Sequence, residues 1–238
     1  MRYRRVFIVL AVLVLLGVWI LNEYSTLKPV TTGAQQTAAQ PGVTAPVTST
    51  SSAALTVLDT LAVKGRAPKT GYARTQFGDG WASINGCDTR NLILRRDLTD
   101  VVESDDCKIV SGTLNDPYTG KVIIFQRGET TSALVQIDHV VALSNAWQTG
   151  AQLLAPEQRE ALANDPLELL AVDGAANQQK SDGDAATWLP SNKAFRCQYV
   201  ARQIAVKQKY TLWVTVAEKN AIQTILAKCP EQALPAEK

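Results

Sequence analysis

The chain has 238 residues, 46% of them apolar, which suffices for one generous domain with accessory segments and is ordinary for a globular protein. Its 24 basic and 22 acidic residues leave a formal charge of +2, so any attraction to nucleic acid must come from a local patch and not from a global field. Four widely spaced cysteines without a C-x-x-C pair speak against a zinc site, and no carboxylate pair is assignable to a polysaccharide hydrolase.

At the start, Arg2, Arg4 and Arg5 precede an uncharged apolar run from Val6 to Leu21, followed by Asn22-Glu23-Tyr24. Residues 1–24 therefore read as a signal peptide or an N-terminal membrane anchor; the lack of a small-x-small cleavage site favours the anchor. The arginines stay in the cytoplasm, and the rest of the chain is exported, secreted or held to the membrane by residues 6–21. That remainder is neutral, with 21 basic and 21 acidic residues once three arginines and one glutamate are set aside. Residues 25–53, rich in Ser, Thr, Ala and Pro, cannot bury enough surface to offset ordering and read as a flexible linker. Residues 54–230 form the expected folded domain, and 231–238 a C-terminal tail.

The domain begins near Ala54, where Leu55, Leu58 and Leu61 have helical spacing. A Gly-rich stretch, Phe77-Gly78-Asp79-Gly80-Trp81, precedes Leu92–Leu98, a short helix capped by Asp88 or Thr89. Cys107–Leu114 and Lys121–Gln126 are strands of a hairpin turned at Asn115–Gly120. Val135–Leu143 is the next strand. A helix with Pro156 in its first turn ends at Asn164-Asp165-Pro166; Leu167–Val172 is a second strand, and Ala175–Lys180 a short helix. Ser191 or Asn192 caps a helix running to about Tyr210, and Thr215–Glu218 is a capping box for a last helix with Ile222, Ile225 and Leu226 on one face. Three disulfide connectivities are open in an oxidising compartment. Cys87–Cys107 and Cys197–Cys229 are favoured because each pair brackets a local supersecondary unit.

Chemistry centres on Asp138-His139, which sets the only histidine beside a carboxylate. Histidine moves protons near neutral pH, and an Asp oxygen suits Mg²⁺. Asn177 and Lys180 share one face of the short helix after the second strand. Neighbouring strand residues point to opposite faces, so Asp138 and His139 can serve one site only if the strand ends or bulges there; regular pleating through both would sink the assignment.

The segments Gln136–Leu143, Asn164-Asp165-Pro166, Leu169–Val172, Asn177–Asp182 and Trp188–Lys193, with Tyr72, Arg74 and Cys87–Asn91 upstream, resemble the HNH endonucleases. The resemblance is to secreted bacterial members related to the nuclease domain of the modification-dependent GmrSD restriction enzyme. It implies an α+β fold with a ββα-metal core, an N-terminal β-hairpin extension and a C-terminal helical pair, stapled by disulfides. It implies phosphodiester hydrolysis, with DNA favoured over RNA, low sequence specificity, a monomer and no small-molecule cofactor. His139 is then the general base, whose far ring nitrogen must be held by an acceptor. Asp138 and Asn177 hold one divalent metal, Mg²⁺ with Mn²⁺ or Ca²⁺ as alternatives, and Lys180 meets a phosphate oxygen. Where the family carries its middle Asn this chain has Glu168, with Asn164 close by; either is expected to brace the site, and Glu168 touching His139 would raise its pKa. That departure keeps open a catalytically weakened domain that binds nucleic acid or the cell envelope. Lys193, Arg196 and Arg202, spaced along one helix face, are the candidate phosphate contacts. Trp188 is expected in the core, and Asp184 as a brace for the following turn.

Overall fold

The computed structural model describes residues 53–235. The expected membrane segment and nearly all of the expected linker lie outside them. Among the described residues no helix is long and apolar enough to cross a membrane.

The first helix, α1 (Ala53–Thr60), buries Ala54 and Leu58 as the Leu spacing requires. Beyond a 3-10 turn at Arg74–Phe77, a two-residue ladder pairs β1 (Ser83–Ile84) with β2 (Cys87–Asp88). Its turn is Asn85-Gly86, both at positive φ (52° and 84°), the conformation such hairpins demand. Helix α2 (Thr89–Asp97) starts where the Asp88 carboxylate accepts the Asn91 N–H at 2.7 Å. A meander follows, β3 (Leu98–Glu103), β4 (Ile109–Asn115) and β5 (Val122–Gln126). Strand β3 is absent from the sequence reading. Its pairing with β4 is irregular between Thr99 and Glu103, and Asp100 has φ 51°, so no clean alternation marks it.

The two central strands are β6 (Val135–His139) and β7 (Leu169–Asp173), antiparallel, with Asp138 opposite Leu170 and His139 opposite Leu169. The strand expected to run to Leu143 stops at His139. Val140 N–H goes to the Glu168 carbonyl and Val141 N–H to the Glu168 carboxylate, which bends the chain into α3 (Leu143–Gln148). Helix α4 (Pro156–Ala163) carries Pro156 in its first turn and ends at Asn164. After β7, the Asp173 carboxylate accepts the Ala176 N–H and starts α5 (Gly174–Lys180), which packs on both strands. The chain closes with α6 (Arg196–Lys209), reached through a 3-10 turn capped by Asn192, and α7 (Val216–Leu226), opened by the Thr215/Glu218 capping box.

The antiparallel β6–β7 pair lies between two cores, which explains why its strands read as nearly continuous apolar runs. Val135, Ile137, Leu169 and Ala171 join the core shared with α2 and the meander. Leu170 and Val172 face the core built from α1, α6 and α7. By the same alternation, Gln136 and Asp138 point to one side and His139 to the other. The molecule is thus a mixed α/β structure with small sheets, stapled by Cys87–Cys107 and Cys197–Cys229. The second bridge closes a separation of 32 residues between α6 and the end of α7. Converting both of its cysteines to alanine is expected to lower stability by about 3–4 kcal/mol in the chain-entropy account, read as a lower urea midpoint.

Candidate active site

One cleft of about 510 Å³ gathers Asp138, His139, Gln136 and Asn177 with Lys69, Tyr72, Arg74, Trp81, Arg90 and Asp182. Three of the four catalytic candidates therefore open on a common space, although the pleat is regular through Asp138 and His139 and shows no bulge. The strand does end at His139, but the two side chains leave opposite faces of β6, so the demand for one shared face is not met.

His139 is 6% exposed. Its Nε2 lies 3.0 Å from the carbonyl oxygen of Ala163, at the end of α4. A carbonyl only accepts, so Nε2 carries the proton and Nδ1 keeps its lone pair. The expected acceptor for the far ring nitrogen is thus a backbone carbonyl. The Trp81 ring stacks parallel to the imidazole, centroids 5.8 Å apart and planes 5° from parallel. Burial, and then the Arg74 charge, push the pKa of His139 down to about 3. The imidazole is therefore neutral throughout the physiological range, and its pKa does not lie near the operating pH, as was expected of a general base, because burial disfavours its charged form.

Asp138 is 5% exposed and points away from the ring. Its Oδ1 accepts from Lys180 Nζ at 2.9 Å, and its Oδ2 accepts the Tyr118 hydroxyl. Burial raises the Asp138 carboxyl from its ordinary range, opposed by the Lys180 ammonium and the Tyr118 hydrogen bond. Lys180 also donates to the His139 carbonyl at 2.8 Å, with its side chain fully buried. Lys180 is therefore not presented to a phosphate, as the sequence reading expected. It is the internal counterion of Asp138, tying α5 to the end of β6.

Asn177, half-buried, donates through Nδ2 to Gln136 Oε1 at 2.9 Å, which leaves its own Oδ1 turned to no partner among the described residues. Among those residues no group of three or more His, Cys, Asp or Glu side chains could hold a metal. The donor chemistry nevertheless fits a Mg²⁺-type ion. Asp138 and Asn177 are two hard oxygen donors on one cleft, a carboxylate has about four lone-pair sites, of which Lys180, Tyr118 and the His139 backbone take three, and Mg²⁺ takes one or two protein oxygens and keeps several waters.

Glu168 and Asn164 brace the site by routes other than the expected one. Glu168 is fully buried and does not touch His139; its Oε2 accepts the Val141 N–H at 3.2 Å and fixes the turn at the end of β6. Burial pushes its carboxyl well above the usual range. Asn164 Oδ1 accepts the Ala82 N–H at 2.8 Å, and its Nδ2 donates to the Glu160 carbonyl at 3.1 Å, anchoring the loop that carries Trp81.

The basic residues are the larger correction. Arg202 is largely enclosed and donates to the Leu167 carbonyl at 2.9 Å, with burial lowering its pKa. Arg196 donates to the Pro190 carbonyl at 2.7 Å. Lys193 is exposed on the 3-10 turn before α6, and none of the three lines the cleft. Helical spacing put them on one face, but two of them serve backbone carbonyls. The cations that do line it are Lys69, Arg74 and Arg90. Lys69 pairs with Asp182 at 3.3 Å and Arg90 donates to the Val135 carbonyl at 3.1 Å, so Arg74 is the one without a partner at hydrogen-bond distance among the described residues. Arg74 and Arg90 lie in segments quoted for the resemblance; nothing in local spacing marked Lys69, Trp81 or Tyr118. Trp188 packs against Tyr118 with centroids 5.0 Å apart but is only half-buried, at the edge of the core it was expected to anchor; Asp184 braces its turn through the Ala186 N–H, as expected, and also pairs with Arg66.

The chain is 38% identical over 192 residues to an "uncharacterized secreted protein" of Arthroderma benhamiae, covering 79% of this chain and 91% of that protein. No solved structure matches it. The model of the GmrSD restriction endonuclease C-terminal domain family matches residues 88–225, which take in β6, β7, α5 and every candidate from Asp138 to Arg202. With that match spanning more than half of its length, the chain belongs to the family of GmrSD restriction endonuclease C-terminal domains.

Proposed function

We propose that the protein is an exported, metal-dependent endonuclease of the ββα-metal kind that hydrolyses phosphodiester bonds, preferring DNA to RNA and tolerant of sequence. The observation that carries this is His139: a neutral imidazole, its Nε2–H held by the Ala163 carbonyl, on a cleft that also holds Arg74 and Arg90. In this reading His139 Nδ1 takes the proton from the attacking water. Arg74 draws in and orients the phosphate, and the approaching anion raises the basicity of His139 by opposing the Arg74 charge. Trp81 holds the ring plane, and Lys180 holds the Asp138 carboxylate. Asp138 and Asn177 would hold one divalent cation, Mg²⁺ first, which when bound supplies positive charge to the phosphate and the departing oxygen.

Residues 1–24 as signal or anchor, 25–53 as tether and 54–230 as a monomeric nuclease domain complete the proposal. The two disulfides and the secreted relative support an extracytoplasmic location. The Lys180–Asp138 ion pair favours a second reading, a domain that binds nucleic acid without cutting it. Supercoiled plasmid incubated with the full chain separates the two. Nicking that needs Mg²⁺ or Mn²⁺ and stops on EDTA is expected; binding without nicking under either metal would favour the second reading, and nicking that survives EDTA would remove the metal from the proposal.

A further inference from the structure

Beside the cleft lies a smaller recess of about 220 Å³, and the two meet at His139, Arg74, Trp81 and Leu143, which line both. The inner wall of the recess is mostly carbon, from Phe77, Trp81, Leu143 and Ala163. Its rim is the Gly78-Asp79-Gly80 loop, where Gly78 and Gly80 hold positive φ of 94° and 143°, conformations open to glycine without strain. A side chain at Gly78 would press on Glu160 of α4 at 3.0 Å, so that glycine also lets the loop sit close to the helix. The exposed Asp79 carboxylate on this rim makes no hydrogen bond or ion pair among the described residues.

A phosphodiester laid against His139 has a sugar and its base within one nucleotide's reach. Aromatic side chains offer bases a stacking surface irrespective of sequence. A carboxylate accepts from the exocyclic amino group of cytosine, where thymine presents an acceptor instead. We infer that this recess takes one unstacked, amino-bearing nucleobase next to the bond to be cut, so that single-stranded or locally melted nucleic acid is the preferred substrate. The inference rests on the phosphodiesterase reading of His139. A duplex must first lose the stacking of that base, whereas a single strand already offers it.

The test uses the full chain at pH 8 and low salt with three labelled probes of equal length: a deoxycytidine homopolymer, a thymidine homopolymer and a mixed-sequence duplex. Binding is read by anisotropy in EDTA, so that no cutting intervenes, and cleavage is then read with Mg²⁺. The deoxycytidine strand is expected to bind tightest. Trp81→Leu should weaken single-strand binding about tenfold and duplex binding by clearly less. Asp79→Asn, whose amide can face either base, should abolish the preference for cytidine over thymidine. Equal binding of all three probes, unmoved by Trp81→Leu, would overturn the recess even if plasmid is cut in a His139-dependent way. The preference without any cutting would instead retain the recess and remove the phosphodiesterase reading.

Discussion

His139→Ala is expected to lower plasmid nicking by about 10²-fold, the lower end of what a positioned general base contributes, since a base with so low a pKa draws the proton weakly, while the protein stays folded. The loss follows from how completely the chain commits this ring to one role. Nε2 is held by the Ala163 carbonyl, so only Nδ1 can accept, and Trp81 fixes the plane. With its pKa at about 3, through burial first and the Arg74 charge second, the free protein has a neutral His139 well below neutrality. The acid limb of kcat/KM should therefore lie below pH 5 and not near the ordinary histidine value. The limb of kcat should lie higher, because bound phosphate opposes the Arg74 charge. Arg74→Gln should move the kcat/KM limb upward by the Arg74 share alone, leaving the contribution of burial in place. Stability carries the same signature. Between about pH 3 and 6.5 the unfolded chain binds a proton at this residue that the native state refuses, so His139 makes stability fall as pH falls through that window. Glu168 works the other way: its raised pKa favours the fold at low pH, and that contribution is lost as pH rises above the ordinary carboxyl range. Urea midpoints taken from pH 7 down to 4 should thus fall less steeply in His139→Ala than in the parent. Nicking unchanged in His139→Ala would remove the base from the proposal.

The legible parts of this molecule are those whose cause is local. Pro156 in the first turn of α4 and the Thr215/Glu218 box of α7 are set by residues within four positions of one another and are where their sequence signals put them, and of the two caps open for α2 the structure uses Asp88, with the helix starting at Thr89 and not at Leu92. The Asp138-His139 pair on the first of two strands, with Asn177 on the next helix, was legible for the same reason. What ends β6 was not, because the group that turns Val141 out of the ladder is the Glu168 carboxylate, 27 residues away. Nor were the partners of Asp138. Tyr118 sits in a turn that reads as a plain hairpin connection, and Lys180 has the solvent-facing look of any lysine in the last turn of a short helix. The acceptor for His139 is a backbone carbonyl, which every residue has and no residue advertises. Periodicity found a basic face at Arg196 and Arg202; it could not tell that carbonyls of Pro190 and Leu167 had already taken those guanidinium groups.

Lys180→Met is expected to destabilise the protein by about 3–5 kcal/mol, the cost of breaking a buried ion pair from one side. The ammonium is fully enclosed, 2.9 Å from Asp138 Oδ1 and 2.8 Å from the His139 carbonyl. Its loss leaves a carboxylate only 5% exposed with the Tyr118 hydroxyl and the His139 backbone as its remaining hydrogen-bond partners. A lysine that served only to meet phosphate would give the opposite pattern, with stability unchanged and only nucleic-acid affinity and its salt dependence reduced. The urea midpoint at constant slope therefore separates the two roles. Adding Asp138→Leu to Lys180→Met should recover most of the loss, because removing both charges leaves neither of them buried alone. The single variant has a second consequence if Asp138 belongs to a metal site. Freed from its internal counterion, the carboxylate should hold Mg²⁺ more tightly, so that added Mg²⁺ raises the melting temperature of Lys180→Met more than that of the parent protein. A stability loss without that added response would keep Lys180 as the counterion of Asp138 and make the carboxylate a structural group; both effects together would make Lys180 the residue that holds Asp138 in place and sets how firmly it can bind a cation.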